Sequence, residues 1–127
     1  MPDFDILVLG GGTGGYAAAF RAAQLGKRVA LVEQSKVGGT CLHWGCIPAK
    51  AMLESGDLLA KIGKAADYGI QITPATGIDT TVVGARRDKI VAKMHAGLKS
   101  LFKKNNVELI AARGTITAPG SIKVALV

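Results

Sequence analysis

Phe4-Asp5-Ile6-Leu7-Val8-Leu9-Gly10-Gly11-Gly12-Thr13-Gly14-Gly15 is the stretch that decides the fold. Its apolar run, Phe4 to Leu9, reads as a parallel strand buried on both faces and ending at a glycine turn. Gly14 to Leu25 is alanine-rich and reads as a helix, with Gly26 as its stop. Arg28 to Glu33 repeats the buried-strand pattern. Strand, glycine turn, helix and strand within about 30 residues make a βαβ unit, the size of a dinucleotide-binding start. The expected fold class is α/β: a Rossmann-like parallel sheet with flanking helices.

Gly10, Gly12 and Gly15 fit G-x-G-x-x-G in the strand-to-helix context that the motif requires. The first glycine allows the tight turn, the second lets a pyrophosphate approach the backbone, and the third lets helix and strand pack closely. The helix N-terminus then offers free N–H groups and the positive end of its dipole to the phosphates. Glu33 ends the second strand, 18 residues beyond Gly15. Its carboxylate can accept hydrogen bonds from a ribose diol and would repel a 2′-phosphate. Without that context the pattern reads equally as a glycine-rich turn with no ligand, and it does not separate FAD from NAD.

Working outward, Gln34 to Gly45 reads as a loop. A helix is expected from Cys46 to about Lys61, with Pro48 tolerated in its first turn. Tyr68 to Gly77 reads as irregular or briefly extended, since Pro74 argues against a helix. A basic helix follows over Thr80 to Lys104, with Ile90, Met94, Leu98 and Leu101 as its apolar stripe. Val107 to Arg113 reads as a third strand. Thr115-Ile116-Thr117 and Ile122-Lys123-Val124 alternate around Ala118-Pro119-Gly120-Ser121, a hairpin with Pro-Gly turn chemistry.

The 127 residues suffice for one small domain with a real core, and 49% hydrophobic content excludes a disordered type. The formal charge of +7 is spread along the chain and densest in the basic helix. Arg86, Arg87, Lys93, Lys99, Lys103 and Lys104 lie mostly off its apolar stripe, so it reads as a solvated face rather than a nucleic-acid surface. No apolar run is long enough to span a bilayer. The strand begins almost directly after Met1, leaving no room for a leader, so a cytoplasmic location is expected.

Cys41 and Cys46 are the only two cysteines. As a structural staple their bridge would be weak, because a ring so small is worth only about 2 kcal/mol of chain entropy. At a helix start the same pair makes sense as chemistry, since dipole and free N–H groups there favour a thiolate on Cys46. Cys41 would then stay open to exchange with a substrate disulfide. Lys50, four residues after Cys46, shares its helix face and could stabilise negative charge beside the pair, although a plain surface lysine is the simpler reading. A metal site would need further ligands, and His43 and His95 lack zinc-type spacing. Buried, inert thiols are the remaining alternative.

The run Gly38-Gly39-Thr40-Cys41-Leu42-His43-Trp44-Gly45-Cys46-Ile47-Pro48-Ala49-Lys50 resembles the redox-active segment of the FAD-dependent pyridine nucleotide-disulphide oxidoreductases. Gly10 to Gly26 is most similar to the members that oxidise dihydrolipoamide. The resemblance implies that Cys41 exchanges with dihydrolipoamide and that Cys46 lies beside flavin C4a in a charge-transfer contact. It places Lys50 near flavin N5, Glu33 on the adenosine ribose, Gly39 and Thr40 on the FAD, and the main chain of Gly114 at the adenine. It further implies tightly held FAD, NAD+ as final acceptor, and a homodimer. Dihydrolipoamide would arrive on the acyltransferase subunit of a 2-oxo acid dehydrogenase complex, with no nucleic acid or membrane as partner.

Departures from the pattern are few. Thr13 stands where the family often has proline, which leaves phosphate binding intact. His43 and Trp44 replace a common Asn-Val pair and read as tuning substrate access, with packing the preferred alternative for Trp44. Family members are several times longer, so residues 1–127 read as the N-terminal portion of an FAD-binding domain. The NAD and dimerisation domains, and the histidine-glutamate acid–base pair, lie outside this stretch, and neither His43 nor His95 takes that role. Two alternatives stand beside the dihydrolipoamide reading: a non-catalytic FAD-binding piece, and another disulfide reductase of the same family.

Overall fold

The computed structural model describes residues 3–73 and 77–126. Met1 and Pro74, on which two expectations above rest, lie outside them. Strand β1 (Ile6–Leu9) pairs in parallel with β2 (Val29–Glu33), Ile6 facing Val29 and Leu9 facing Val32. Strand β3 (Glu108–Ala118) lies parallel on the other side of β2, from Ala30 opposite Glu108 to Glu33 opposite Ala111. β3 then turns to a new partner, running antiparallel to β4 (Ser121–Leu126), with Ala112 opposite Leu126. The sheet order is β1-β2-β3-β4.

β2 is central because its apolar run suits burial on both faces. Val29, Ala30, Leu31 and Val32 are all at most 2% exposed. The sequence reading breaks the third strand after Arg113, whereas the structure carries one strand through to Ala118. Gly114 makes this possible. A Cβ there would lie 2.5 Å from Leu9 Cδ1 and 3.1 Å from Val32 Cγ1, so a larger residue would require the Leu9 side chain to move aside.

Helix α1 (Thr13–Gln24) follows the glycine turn. It stops as expected at Gly26, which takes φ +80° while Gly26 N–H donates to Ala23 O and Lys27 N–H to Ala22 O. That pair of bonds is a Schellman motif, and its left-handed residue is one that glycine fills without strain. The Gln34–Gly45 segment is not wholly loop: Gly39–His43 forms a short helix, α2, just before α3 (Cys46–Gly63). A single 3₁₀ turn, Ala65–Tyr68, ends that region.

Helix α4 (Thr80–Lys104) begins at Asp79, whose Oδ1 accepts from Thr81 N at 2.9 Å and Val82 N at 3.1 Å. Such a cap satisfies two otherwise orphaned donors. Its buried seam differs from the stripe read in the sequence. Leu98 and Phe102 are buried, whereas Met94 and Leu101 stay 49% and 44% exposed. The helix serves two neighbours in turn, so no single stripe describes it. Towards its start it is tied to α3 by Arg86 Nη1, which donates to Ala51 O at 2.7 Å. Towards its end Phe102 meets Phe20 of α1 edge-on, centroids 4.8 Å apart, in a core shared with Val29, Leu31 and Val107. Among the described residues no helix is long and apolar enough to cross a membrane.

Candidate functional site

The glycine turn leaves β1 through Gly10, which takes φ +99° and donates its N–H to Val32 O at 2.8 Å. That bond extends the ladder by one residue and then releases the chain. A Cβ on Gly15 would collide with Gly10 O, so the helix can sit this close only with glycine there. Around Gly12, by contrast, a Cβ would meet nothing. α1 has no side-chain cap and no acidic residue in its first turn, so its leading N–H groups face outward free of side-chain partners. This donor set suits a phosphate.

Glu33 closes the turn from β2. Its Oε2 accepts from Gly11 N at 2.7 Å and its Oε1 from Ser35 N at 2.8 Å. The carboxylate thus braces the turn itself, a role the sequence did not reveal, and each oxygen keeps a lone pair for a further donor. Gly10, Glu33 and Gly114 line one cleft of about 290 Å³ with Leu9, Val32 and Arg113. It opens at the C-terminal ends of the parallel strands, where open α/β sheets hold ligands. Three of the residues singled out from the sequence therefore meet in one cleft.

The second segment packs directly on this turn. Gly38 N–H donates to Gly11 O at 2.7 Å. Gly38 and Gly39 take φ +111° and +59°, a left-handed geometry that other residues adopt only with strain. A Cβ on Gly39 would lie 2.9 Å from the Cα of Gly12. Thr40, next along α2, is exposed.

Cys41 sits half-buried in α2, and Cys46 is exposed at the first position of α3; both are free thiols. Gly45 lets the two helices meet, since a Cβ there would press to 3.1 Å from Thr40 O and 3.5 Å from Cys41 Cα. A hydrogen bond to the Cys46 thiol, then burial and the charge of Cys46, push the Cys41 thiol up from its ordinary range, while the Cys46 backbone N–H and, more weakly, Lys50 act in the opposite direction. Lys50 itself is exposed, one turn into α3.

Trp44 is 66% exposed, so the packing reading is overturned. With His43, Cys46, Met52, Arg87 and Asp88 it lines an open cavity of about 730 Å³ beside the thiols. Arg87 is held there by Asp88, with Nε and Nη2 each 2.8 Å from Oδ1. The sequence reading also missed His95. It lies on the α4 seam three residues before Leu98 and seven before Phe102, a helical spacing that marks it as facing inward. Its ring meets that of His43 edge-on, centroids 4.9 Å apart. Among the described residues no group of three or more His, Cys, Asp or Glu side chains is placed to hold a metal ion.

Residues 4–124 match the model of one family, pyridine nucleotide-disulphide oxidoreductase. The chain belongs to that family. It is 43% identical over 117 residues to a dihydrolipoyl dehydrogenase of Bacillus subtilis, a match covering 92% of this chain and 24% of the relative. A dihydrolipoyl dehydrogenase of Rhizobium etli is 40% identical over 95% of this chain and 25% of its own length. One from Acholeplasma laidlawii is 38% identical over 96% and 36%. The chain thus spans between about a quarter and a third of the curated relatives it matches.

Proposed function

We propose that this chain forms the dinucleotide cradle and redox centre of a flavoprotein that oxidises dihydrolipoamide to lipoamide, with NAD+ as final acceptor. The observation that carries the reading is the contact of Gly39 with Gly12, which sets the cysteine pair against the phosphate-binding turn. In this reading the first-turn N–H groups of α1 hold the FAD pyrophosphate and Glu33 the adenosine ribose. Gly114 lies at the adenine, and Gly39, Thr40 and Lys50 lie along the rest of the cofactor. The names of the relatives support the substrate.

In the oxidised form Cys41 and Cys46 are joined as a disulfide. A dihydrolipoamide thiolate attacks Cys41 Sγ, the Cys41–Cys46 bond breaks, and Cys46 leaves as the thiolate. The second substrate thiol then attacks its own mixed disulfide and releases Cys41. Lipoamide departs oxidised and the pair remains as a dithiol, two electrons richer. The raised pKa of Cys41 favours a proton on that thiol. Bound FAD would supply the two-electron relay from this dithiol to NAD+. The working protein is proposed to be a homodimer served by the acyltransferase subunit of a 2-oxo acid dehydrogenase complex.

The test is the visible spectrum of the chain supplied with FAD, before and after one equivalent of dihydrolipoamide. Protein-bound flavin and a new long-wavelength band on reduction, lost in Cys46→Ser, are expected. Flavin that washes off the chain and off a longer protein containing it would overturn the cofactor assignment. Faster turnover of glutathione disulfide than of lipoamide by that longer protein would overturn the substrate.

A further inference from the structure

His43 and His95 take no part in the chemistry above, yet their rings meet edge-on directly behind it. His43 is the last residue of α2, the short helix that carries Cys41. Its Nε2 lies 2.9 Å from Val37 O, and a carbonyl can only accept, so Nε2 carries the hydrogen. Val37 is 2% exposed in the core, and the next residue, Gly38, is bonded to the glycine turn. The His43 bond therefore closes the Val37–His43 ring around Cys41. On its outer side the His43 ring meets His95 of α4 at 80°, with 4.9 Å between centroids. His95 Nε2 is fully buried and, among the described residues, has no hydrogen-bond partner. A ring nitrogen left unpaired at a helix seam is costly where any aliphatic side chain would pack freely. What the imidazole adds is a rigid edge against a second ring, an orientation an aliphatic chain does not impose.

We propose that His95 is a positioning residue for the redox pair: through its edge-on contact with His43 it holds α2, and with it Cys41, in register with Cys46. The clamp is sensitive to acid. Lys36 and His43 face His95 from the redox segment, Lys99 lies on its own helix, and Arg87 and Asp88, already paired with each other, line the same cavity. Burial first, then His43, Lys99 and Lys36, hold the His95 imidazole below its ordinary range. A proton on His95 therefore adds a charge beside Lys36 and Lys99, where the carboxylate lining the cavity, Asp88, is already paired with Arg87, and the ring contact loosens.

The inference rests on reading Cys41 and Cys46 as the redox pair, and its test needs neither flavin nor dihydrolipoamide. The 127-residue chain is equilibrated with glutathione and glutathione disulfide, so that two thiols and one glutathione disulfide give the Cys41–Cys46 disulfide and two glutathiones. His95→Ala is expected to lower that equilibrium constant about threefold or more, because the cysteines lose register. His95→Phe keeps the edge-on ring. It is expected to restore the constant at about pH 8 and to abolish the decline that the unaltered chain shows below about pH 6.5. If His95→Ala does not fold, His43→Asn tests the same contact from the other side and should show the same loss. Constants and pH profiles equal to those of the unaltered chain in all three variants overturn the proposal. An unaltered chain that forms only mixed disulfides with glutathione overturns instead the redox-pair reading beneath it.

Discussion

Gly39 and Gly12, 27 positions apart in the chain, are packed so closely that a single added methyl on Gly39 would lie 2.9 Å from the Cα of Gly12. This contact joins the glycine turn to the cysteine segment through backbone alone.

Gly39→Ala should accordingly cost about 2 kcal/mol or more, since the left-handed backbone and the overlap with Gly12 both oppose a Cβ. Gly56→Ala in α3 is the control. It meets open space and an ordinary helical backbone, and should add about 0.5–1 kcal/mol of stability. Urea unfolding of the two variants checks the pair; equal effects would show that the Gly39–Gly12 approach is not tight in solution.

Glu33→Gln should weaken both the turn and the ligand. Glutamine has one acceptor oxygen where the carboxylate serves Gly11 N and Ser35 N with two. One amide N–H then faces an NH₂ group, at a cost of about 1–2 kcal/mol. ADP, which carries the ribose and the pyrophosphate, should bind about tenfold more weakly. Calorimetric titration with ADP reads the second effect, and undiminished affinity would remove Glu33 from the ribose site.

Cys46→Ala should make Cys41 more reactive, not less. The hydrogen bond to Cys46 is the main reason that the Cys41 thiol titrates high, and the Cys46 charge adds to it. With both removed, burial still raises Cys41, but its thiolate fraction at about pH 8 increases. A timed pulse of iodoacetamide followed by mass spectrometry should find Cys41 modified faster than in the unaltered, reduced chain. A slower rate would mean that the two thiols do not share a proton.

Phe102→Ala should be far more damaging than Met94→Ala, although the sequence placed only Met94 on the apolar stripe. Phe102 is 2% exposed against Phe20, and its loss should cost about 3–5 kcal/mol. Met94 is 49% exposed, and its truncation should cost about 1 kcal/mol. Thermal unfolding of both variants separates the two seams of α4.

The βαβ start, the glycine turn, the stop at Gly26 and the helix from Cys46 were legible in the sequence. These are local matters: left-handed glycines and helix starts depend on residues close in the chain, and their signals are correspondingly plain. The Phe4–Leu9 run, expected to be buried on both faces, instead forms the edge strand β1, where Ile6 and Leu9 stay 37% and 46% exposed. Long-range packing set the rest: β3 runs unbroken past Gly114, Phe102 rather than Leu101 enters the core, and Glu33 braces Gly11. It alone turned part of the loop into α2, exposed Trp44 and set His95 against His43. Each of these depends on which neighbour an element meets across tens of residues of chain. Helical periodicity marks an inward face without saying what lies opposite it, and a carboxylate's partner is chosen by the turn that folds back onto it.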